Sequence, residues 1–425
     1  MKVKKLPLNI LSIVPVTLLV LVLLVGGCGE KTPGNTNGGN GNGGNGDDVV
    51  ITIGNLTDQT GVASEPMSYI EMALEDIVEY YNENNLIPGV RLRVVDYDDQ
   101  YDPARDIPGY RKLRSDGADF IWTPVTLAVP VLKPILDRDK FVLFVATANM
   151  PKHELEGGYV FSMGITPKNE AYTLLEWLPE NDEDFPEGRP ALIGAAAWND
   201  GYSNLLFEAA KDYADAHPEK YKWDKTFLTD FSFSWKVQAD ELKDCDYVFL
   251  PTPPHVFVRD FRDAGGTAKF LATDPCTAFL GVLGDSGLWD EVDGSLFIRS
   301  SRWYNETGPI IDITNQLLEE KHSASDAAEI RRQGCGYIAT KNQFLMLDIV
   351  RKAVEEVGPE NFDSQALYDA AITWEYEYEG IPKFNNFDAN KRIAQNYYAV
   401  YEADASIGNI VRAHTDWLPE VDTLD

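Results

Sequence analysis

The sequence predicts an α/β protein built as two doubly wound lobes, and three observations carry that prediction. From Val49 onward, short apolar runs alternate with amphipathic helical stretches, the rhythm of strands and helices layered in parallel. The rhythm starts afresh after Pro167, giving two similar halves and a C-terminal addition. The stretch from Val49 to Asp425 is also too long for one hydrophobic core and suits two, with a cleft between them.

Each element has its own signal. Residues 49–55 read as a strand, and Ile70, Leu74, Ile77, Val78 and Tyr81 then fall on one face of a helix packed on a sheet. Pro88-Gly89 turns the chain into a second strand over 90–96, Asp102-Pro103 opens the next helix, and 118–123 is a third strand. A helix over about 126–136 and a fourth strand over 141–146 complete the first lobe. In the second lobe 191–197 is a strand, and Tyr202, Leu205, Leu206, Ala209 and Tyr213 form a helical stripe. Residues 247–250 and 270–273 are short buried strands, each followed by helix-forming sequence. A long helix over 340–357 turns Leu345, Ile349, Val350, Ala353 and Val357 inward and stops at Gly358-Pro359.

Ahead of this body, Lys2, Lys4 and Lys5 precede an apolar run that closes in Leu24-Val25-Gly26-Gly27-Cys28. Small residues before a cysteine read as a lipoprotein export signal over 1–27, with Cys28 the lipidated first residue. An uncleaved membrane anchor competes, since about 20 apolar residues span a bilayer, but the small-small-Cys ending has no purpose there. Either reading puts the body outside the cytoplasm and ties it to the cell membrane. Residues 28–48, rich in Gly and Asn, form a flexible tether, and a coil of that length reaches roughly 25 Å.

The chain has 37 basic and 68 acidic side chains, a formal charge of −31 that becomes −34 once the three signal lysines are removed. Such a body repels polyanions, which excludes nucleic acid as a partner. With Cys28 lipidated, Cys245, Cys276 and Cys335 permit at most one disulfide and single out no pair. His153, His217, His255, His322 and His414 are scattered without metal-ligand spacing, so no metal and no cofactor is expected.

In open α/β sheets, ligands sit beyond the carboxyl ends of strands, where loops and helix N-termini present free N–H groups. That singles out residues 57–62, 122–127, 147–150, 198–203, 251–254 and 273–277. Trp122 and Trp198 stand at predicted strand ends, placed either to wall a ligand or to close the top of a lobe core.

Several motifs near these loops occur in a telling order. Ile51-Thr52-Ile53-Gly54 leads to Thr60-Gly61, then come Asp98-Asp99-Gln100-Tyr101-Asp102-Pro103 and Lys112-Leu113 before Gly117-Ala118-Asp119-Phe120-Ile121. Asp200-Gly201-Tyr202 and Gly380-Ile381-Pro382-Lys383-Phe384 follow. In these motifs the chain resembles the type I periplasmic binding proteins, specifically the branched-chain amino acid and amide group that feeds ABC importers. The resemblance implies two Rossmann-like lobes joined by three crossovers, near 161–166, 297–302 and 374–380. It assigns 49–165 plus 301–375 to the N-terminal lobe and 166–300 plus 376–425 to the C-terminal lobe. The alternation Trp374-Glu375-Tyr376-Glu377-Tyr378-Glu379 reads as one crossover strand, and Trp303 and Tyr304 lie just beyond another.

The resemblance also implies a ligand set. In the family's amino-acid binders, a hydroxyl after the third strand and a small-x-Thr element after the fourth hold the carboxylate. Here Leu127 falls at the first position with Thr126 beside it, and the second becomes Thr147-Ala148-Asn149, leaving Thr147, Asn149 and backbone amides as donors. Tyr202 matches an aromatic that covers the ligand, Asp274 an acid that takes a ligand ammonium, and Thr166 the place of another acid. Asp274 reads equally as a helix N-cap.

The expectation is a lipid-anchored solute-binding protein whose ligand-closed form is recognised by an ABC permease. An amino-acid-like or amide ligand leads and aromatic acids are the alternative, while a membrane sensor on the same fold is the competing role. Gly284-Asp285-Ser286-Gly287 resembles a serine-hydrolase signature, but no histidine stands in a companion motif. It reads as a loop, and no catalytic residue is expected.

Overall fold

The computed structural model describes residues 48–230 and 233–424, so the expected export signal, Cys28 and most of the tether lie outside it. The first sheet holds β1 (Val49–Thr57), β2 (Val90–Asp98), β3 (Phe120–Thr123), β4 (Leu143–Val145) and β5 (Val160–Ser162), all parallel, in the order β2-β1-β3-β4-β5. The helices between them are α1 (Ser64–Glu83), α2 (Pro103–Ser115), α3 (Ala128–Asp139) and the single turn α4 (Lys152–Leu155). Seven consecutive residues of β1 are buried, as a parallel strand covered on both faces requires. Asp102 starts α2 by accepting from Ala104 N at 3.0 Å, with Pro103 in the first helical position.

The second sheet begins after α5 (Pro167–Asn181). It takes β6 (Ala191–Trp198), β7 (Tyr221–Thr229), β8 (Tyr247–Phe249), β9 (Lys269–Ala272) and β10 (Leu296–Arg299), separated by α6 (Gly201–Ala216), α7 (Lys236–Leu242), α8 (His255–Asp263), α9 (Leu280–Asp285) and α10 (Trp289–Val292). The chain then returns to the first lobe through α11 (Pro309–Lys321), α12 (Ala324–Gln333), α13 (Thr340–Val357) and α14 (Ser364–Ala371). Gln343 on α13 donates to Ile70 O of α1 at 2.9 Å, and Val142 N donates to Ser364 Oγ at 2.7 Å.

Five strands follow: β11 (Glu375–Tyr378), β12 (Ile381–Asn386), β13 (Tyr397–Asp404), β14 (Asn409–Arg412) and β15 (Leu418–Pro419). The second sheet runs β14-β13-β10-β9-β8-β6-β7, with β13 antiparallel to β10 and β15 paired to β13.

The chain passes between the sheets three times. Two passages run from β5 to α5 and from β10 to α11, the latter over 300–308. The third is displaced. Residues 374–380 do not cross, because Glu379 and Gly380, at φ 52° and 81°, form a two-residue turn that folds β11 back on β12, with Tyr378 opposite Ile381. The passage falls at 391–397 instead. There Ser162 N donates to Arg392 O and Ala394 N to Ser162 O, both at 2.8 Å, beside β5 and just before β13. The sequence also hides β7, an edge strand whose burial is mixed and whose residues are correspondingly polar.

Candidate functional site

The carboxyl ends of the two sheets meet. Gly201, the first residue of α6, backs onto the Asn149 carboxamide so closely that a Cβ there would overlap it. Asn149 is buried, and its Oδ1 has no hydrogen-bond partner among the described residues. Asp200 caps α6, its Oδ1 accepting from Ser203 N at 2.7 Å. Its carboxylate also acts on the phenol of Tyr101 in the first lobe. Burial pushes that phenol up to about 12; Thr126 opposes the shift, and the carboxylates of Asp200, Asp99 and Asp58 add to it.

Deeper in the second lobe is a charged network. The Tyr202 hydroxyl donates to Glu170 Oε2, and Glu170 Oε1 accepts from Asp274 N at 3.1 Å. Asp274 Oδ1 lies 2.5 Å from Nη1 of Arg299, the last residue of β10. Arg299 Nη2 donates to Ser301 Oγ at 3.0 Å, and its guanidinium sits 4.6 Å over the Trp303 ring. Glu170 and Arg299 are both fully buried. Burial raises the Glu170 carboxyl well above its usual range, Tyr202 opposes this through its hydrogen bond, and Asp274 adds to it. Burial works against the charge on Arg299, but Asp274 together with Cys335 and Tyr401 outweighs it and the guanidinium is raised. Lys341 on α13 is also buried, with Nζ donating to Gln395 Oε1 at 2.6 Å. Burial pushes it down to about 7, Asp274 pulling it up and Arg299 down.

Of the residues singled out from sequence, Thr126, Asn149, Tyr202 and Asp274 belong to this junction, and Thr147 is half-buried on the loop that carries Asn149. Thr166 caps α5 by accepting from Asn169 N at 3.3 Å and also lines a groove of about 470 Å³ shared with Met150, Lys152, Lys168 and Tyr172. Trp122 is fully enclosed in an apolar cluster, and its Nε1 has no partner among the described residues. Trp198 is half-buried, edge-on to Phe233 with centroids 6.4 Å apart. Trp303 is the platform under Arg299, and Tyr304 donates to Gly334 O at 3.1 Å. Ser286 is exposed just after α9.

Sequence reasoning missed Glu170, Arg299, Lys341 and Tyr101. Arg299 stands at a strand's carboxyl end, the rule that found the other loops, and Tyr101 sits inside a quoted motif. Glu170 and Lys341 carry no local signal, because only packing buries them. Cys245, Cys276 and Cys335 are free. Among the described residues no group of three His, Cys, Asp or Glu side chains is placed to hold a metal ion, and no helix is long and apolar enough to cross a membrane.

The junction offers buried hydrogen-bonding groups and charges from two lobes joined by three strands of chain. That arrangement suits enclosing a small polar molecule.

The sequence profile of the periplasmic binding proteins matches residues 50–408, and the chain belongs to that family. No curated protein sequence matches it. Among solved structures, a branched chain amino acid ABC transporter protein from Thermus thermophilus with bound valine has a TM-score of 0.74 at 16% identity, covering 89% of this chain and 98% of that one. A solute binding protein from R. palustris in complex with 4-hydroxybenzoate has a TM-score of 0.70 at 16% identity, covering 87% and 97%. A fatty acid ABC transporter substrate-binding protein from Thermomonospora curvata has a TM-score of 0.69 at 18% identity, covering 86% and 91%.

Proposed function

From the premise that this chain is a periplasmic binding protein, we propose that it is the lipid-anchored, extracytoplasmic solute-binding subunit of an ABC importer. It takes a small carboxylate-bearing molecule between its lobes by hinge closure and hands it, unaltered, to the membrane permease. The supporting observation is the junction itself, where Asn149 of the first lobe meets the start of α6 with a buried oxygen unpartnered, beside the Tyr202–Glu170–Asp274–Arg299 network. Buried polar groups need partners, and a ligand supplies them.

Two ligand classes fit a carboxylate reading. An amino-acid-like or amide ligand places its N–H groups toward Glu170 and Asp274. The Asp274–Arg299 ion pair favours the other class, an aromatic or other organic acid without an ammonium, because the acid meant to receive that ammonium is already compensated. The similar structures with valine and with 4-hydroxybenzoate make both classes reasonable for this fold.

A thermal-shift screen of amino acids, amides, polyamines and aromatic acids tests the reading. An aromatic acid at a hundred times its Kd is expected to stabilise the chain by about 2.7 kcal/mol, with the compound recovered intact. Absence of any shift across the panel, or consumption of the compound, defeats it. Mass spectrometry of the membrane fraction tests the diacylglyceryl group on Cys28.

A further inference from the structure

Lys341, the second residue of α13, is buried and makes no ion pair among the described residues. A lysine is rarely buried unless it is paired, and this chain has 68 acidic side chains against 37 basic ones from which to supply a partner. The acid that acts on it, Asp274, is already held by Arg299 at 2.5 Å. Glu170, which also feels Asp274 and Arg299, is kept toward its neutral form by burial. Two buried cations therefore share the charge of one carboxylate.

Lys341 also lines a cavity of about 20 Å³ where the 300–308 passage, α11 and β12 come together. No acidic residue lines it, and its two basic ones are Lys341 and Arg302. Arg302 is matched by Glu306 at 2.9 Å and by Glu379 at 2.5 Å, which leaves Lys341 as the uncompensated charge. Lys341 Nζ and Asn385 Nδ2 both donate to Gln395 Oε1, at 2.6 and 2.9 Å, so two nitrogens from residues of the wall stand side by side. An ammonium has three N–H donors and a carboxamide two, so each keeps one to spare. Ser301 Oγ, on the same wall, accepts from Arg299 Nη2 at 3.0 Å and keeps its own proton to donate. A space of this size holds one particle about as large as water. It is too small for a carboxylate-bearing molecule.

We propose that this cavity is a chloride site, in which one monatomic anion accepts from Lys341, Asn385 and Ser301 and supplies the countercharge that no side chain gives Lys341. The ion joins α13 to the 300–308 passage and to β12. Burial pushes the ammonium down to about 7, and an anion beside it opposes that shift by favouring the charged form. The site stands independently of what the cleft between the lobes binds.

Urea unfolding of the purified full chain at pH 7 tests it, in about 0.15 M sodium chloride against sodium gluconate of equal ionic strength, whose anion is too large to enter. Chloride at ten times its Kd raises the folding constant about elevenfold over gluconate. Lys341→Met removes the charge and should unfold at the same midpoint in both salts. Ser301→Ala removes one donor and should reduce the difference to about threefold. Each comparison is made within one variant, so a change in its basal stability cancels. In gluconate Lys341→Met is the more stable chain, and chloride narrows its lead over the wild type. Crystals of the wild type grown in sodium bromide should show anomalous density within hydrogen-bonding distance of Lys341 Nζ. Equal wild-type midpoints in the two salts, or bromide crystals without that peak, overturn the site and leave a water beside a neutral lysine. A chloride effect that survives Lys341→Met also overturns it, since the ion then binds elsewhere.

Discussion

Arg299 Nη1 lies 2.5 Å from Asp274 Oδ1, with the arginine side chain wholly removed from solvent. A cation buried there depends on its partner. Asp274→Ala leaves the guanidinium uncompensated and is expected to cost about 3–5 kcal/mol of stability, read as a lower urea midpoint. Adding Arg299→Met should recover much of that loss, because it removes the stranded charge. A single variant as stable as wild type would show that the pair contributes nothing.

Asp99 and Asp106 are both fully buried, one just before α2 and one in its first turn, and each acts on the other. Burial raises them to about 6 and about 7, neighbouring acids adding to the shift. Their folded-state values exceed those of the unfolded chain, so the folded protein holds protons that the unfolded chain has released. The stability they contribute is complete below about pH 4 and is lost as pH rises toward 7. Asp106→Asn is a permanently neutral stand-in. It should flatten this decline and raise the melting temperature at pH 7.5, measured by thermal melts from pH 4 to 8.

Lys341 has the opposite sign. Its folded-state value of about 7 lies below the 10.5 of an ordinary lysine. From pH 7 to 10 the unfolded chain therefore binds a proton that the folded chain lacks, and stability from this group grows with pH. Lys341→Met removes the cost of burying the charge and should stabilise the protein at pH 7 by ~1–4 kcal/mol. Urea unfolding at pH 7 and pH 9 should show the wild-type difference between the two conditions shrinking in the variant.

The C-terminal segment fastens one lobe to the other. Lys152 on α4 pairs with Asp422, and the same segment holds α5 through Lys168 Nζ to Asp422 O at 2.7 Å and Val421 N to Thr173 Oγ1 at 3.0 Å. Both partners of the lysine–aspartate pair are about a third exposed, so it is worth at most about 1 kcal/mol. Lys152→Ala should speed ligand release up to about fivefold in stopped-flow measurements. Wild type and variant should converge in 0.5 M NaCl, where the Debye length is short. A rate difference that persists at high salt would refute the electrostatic account.

The parts of the fold most legible in the sequence are those whose residues are buried by local pattern alone. The helix over 340–357 matches α13 at both ends, because Gly358, at φ 82°, is the stop its sequence announces, although Val357, expected to face inward, is exposed. The alternation over 374–379 correctly separates exposed Glu375 and Glu377 from buried Tyr378. It says nothing about the partner strand, since a period of two defines faces and not neighbours. Hence the displaced crossover.

By itself the sequence determined the layered α/β class, the two halves, the loops at the carboxyl ends of the strands and several residues that those loops bring together. Only the tertiary structure decided that Asp274 belongs to Arg299 and that Glu170 and Lys341 are buried. The physical reason is range. Periodicity and turn chemistry act over a few residues, whereas the charge state and direction of a side chain depend on desolvation and on partners far along the chain, 104 residues away for Glu170 and Asp274 and 270 for Lys152 and Asp422.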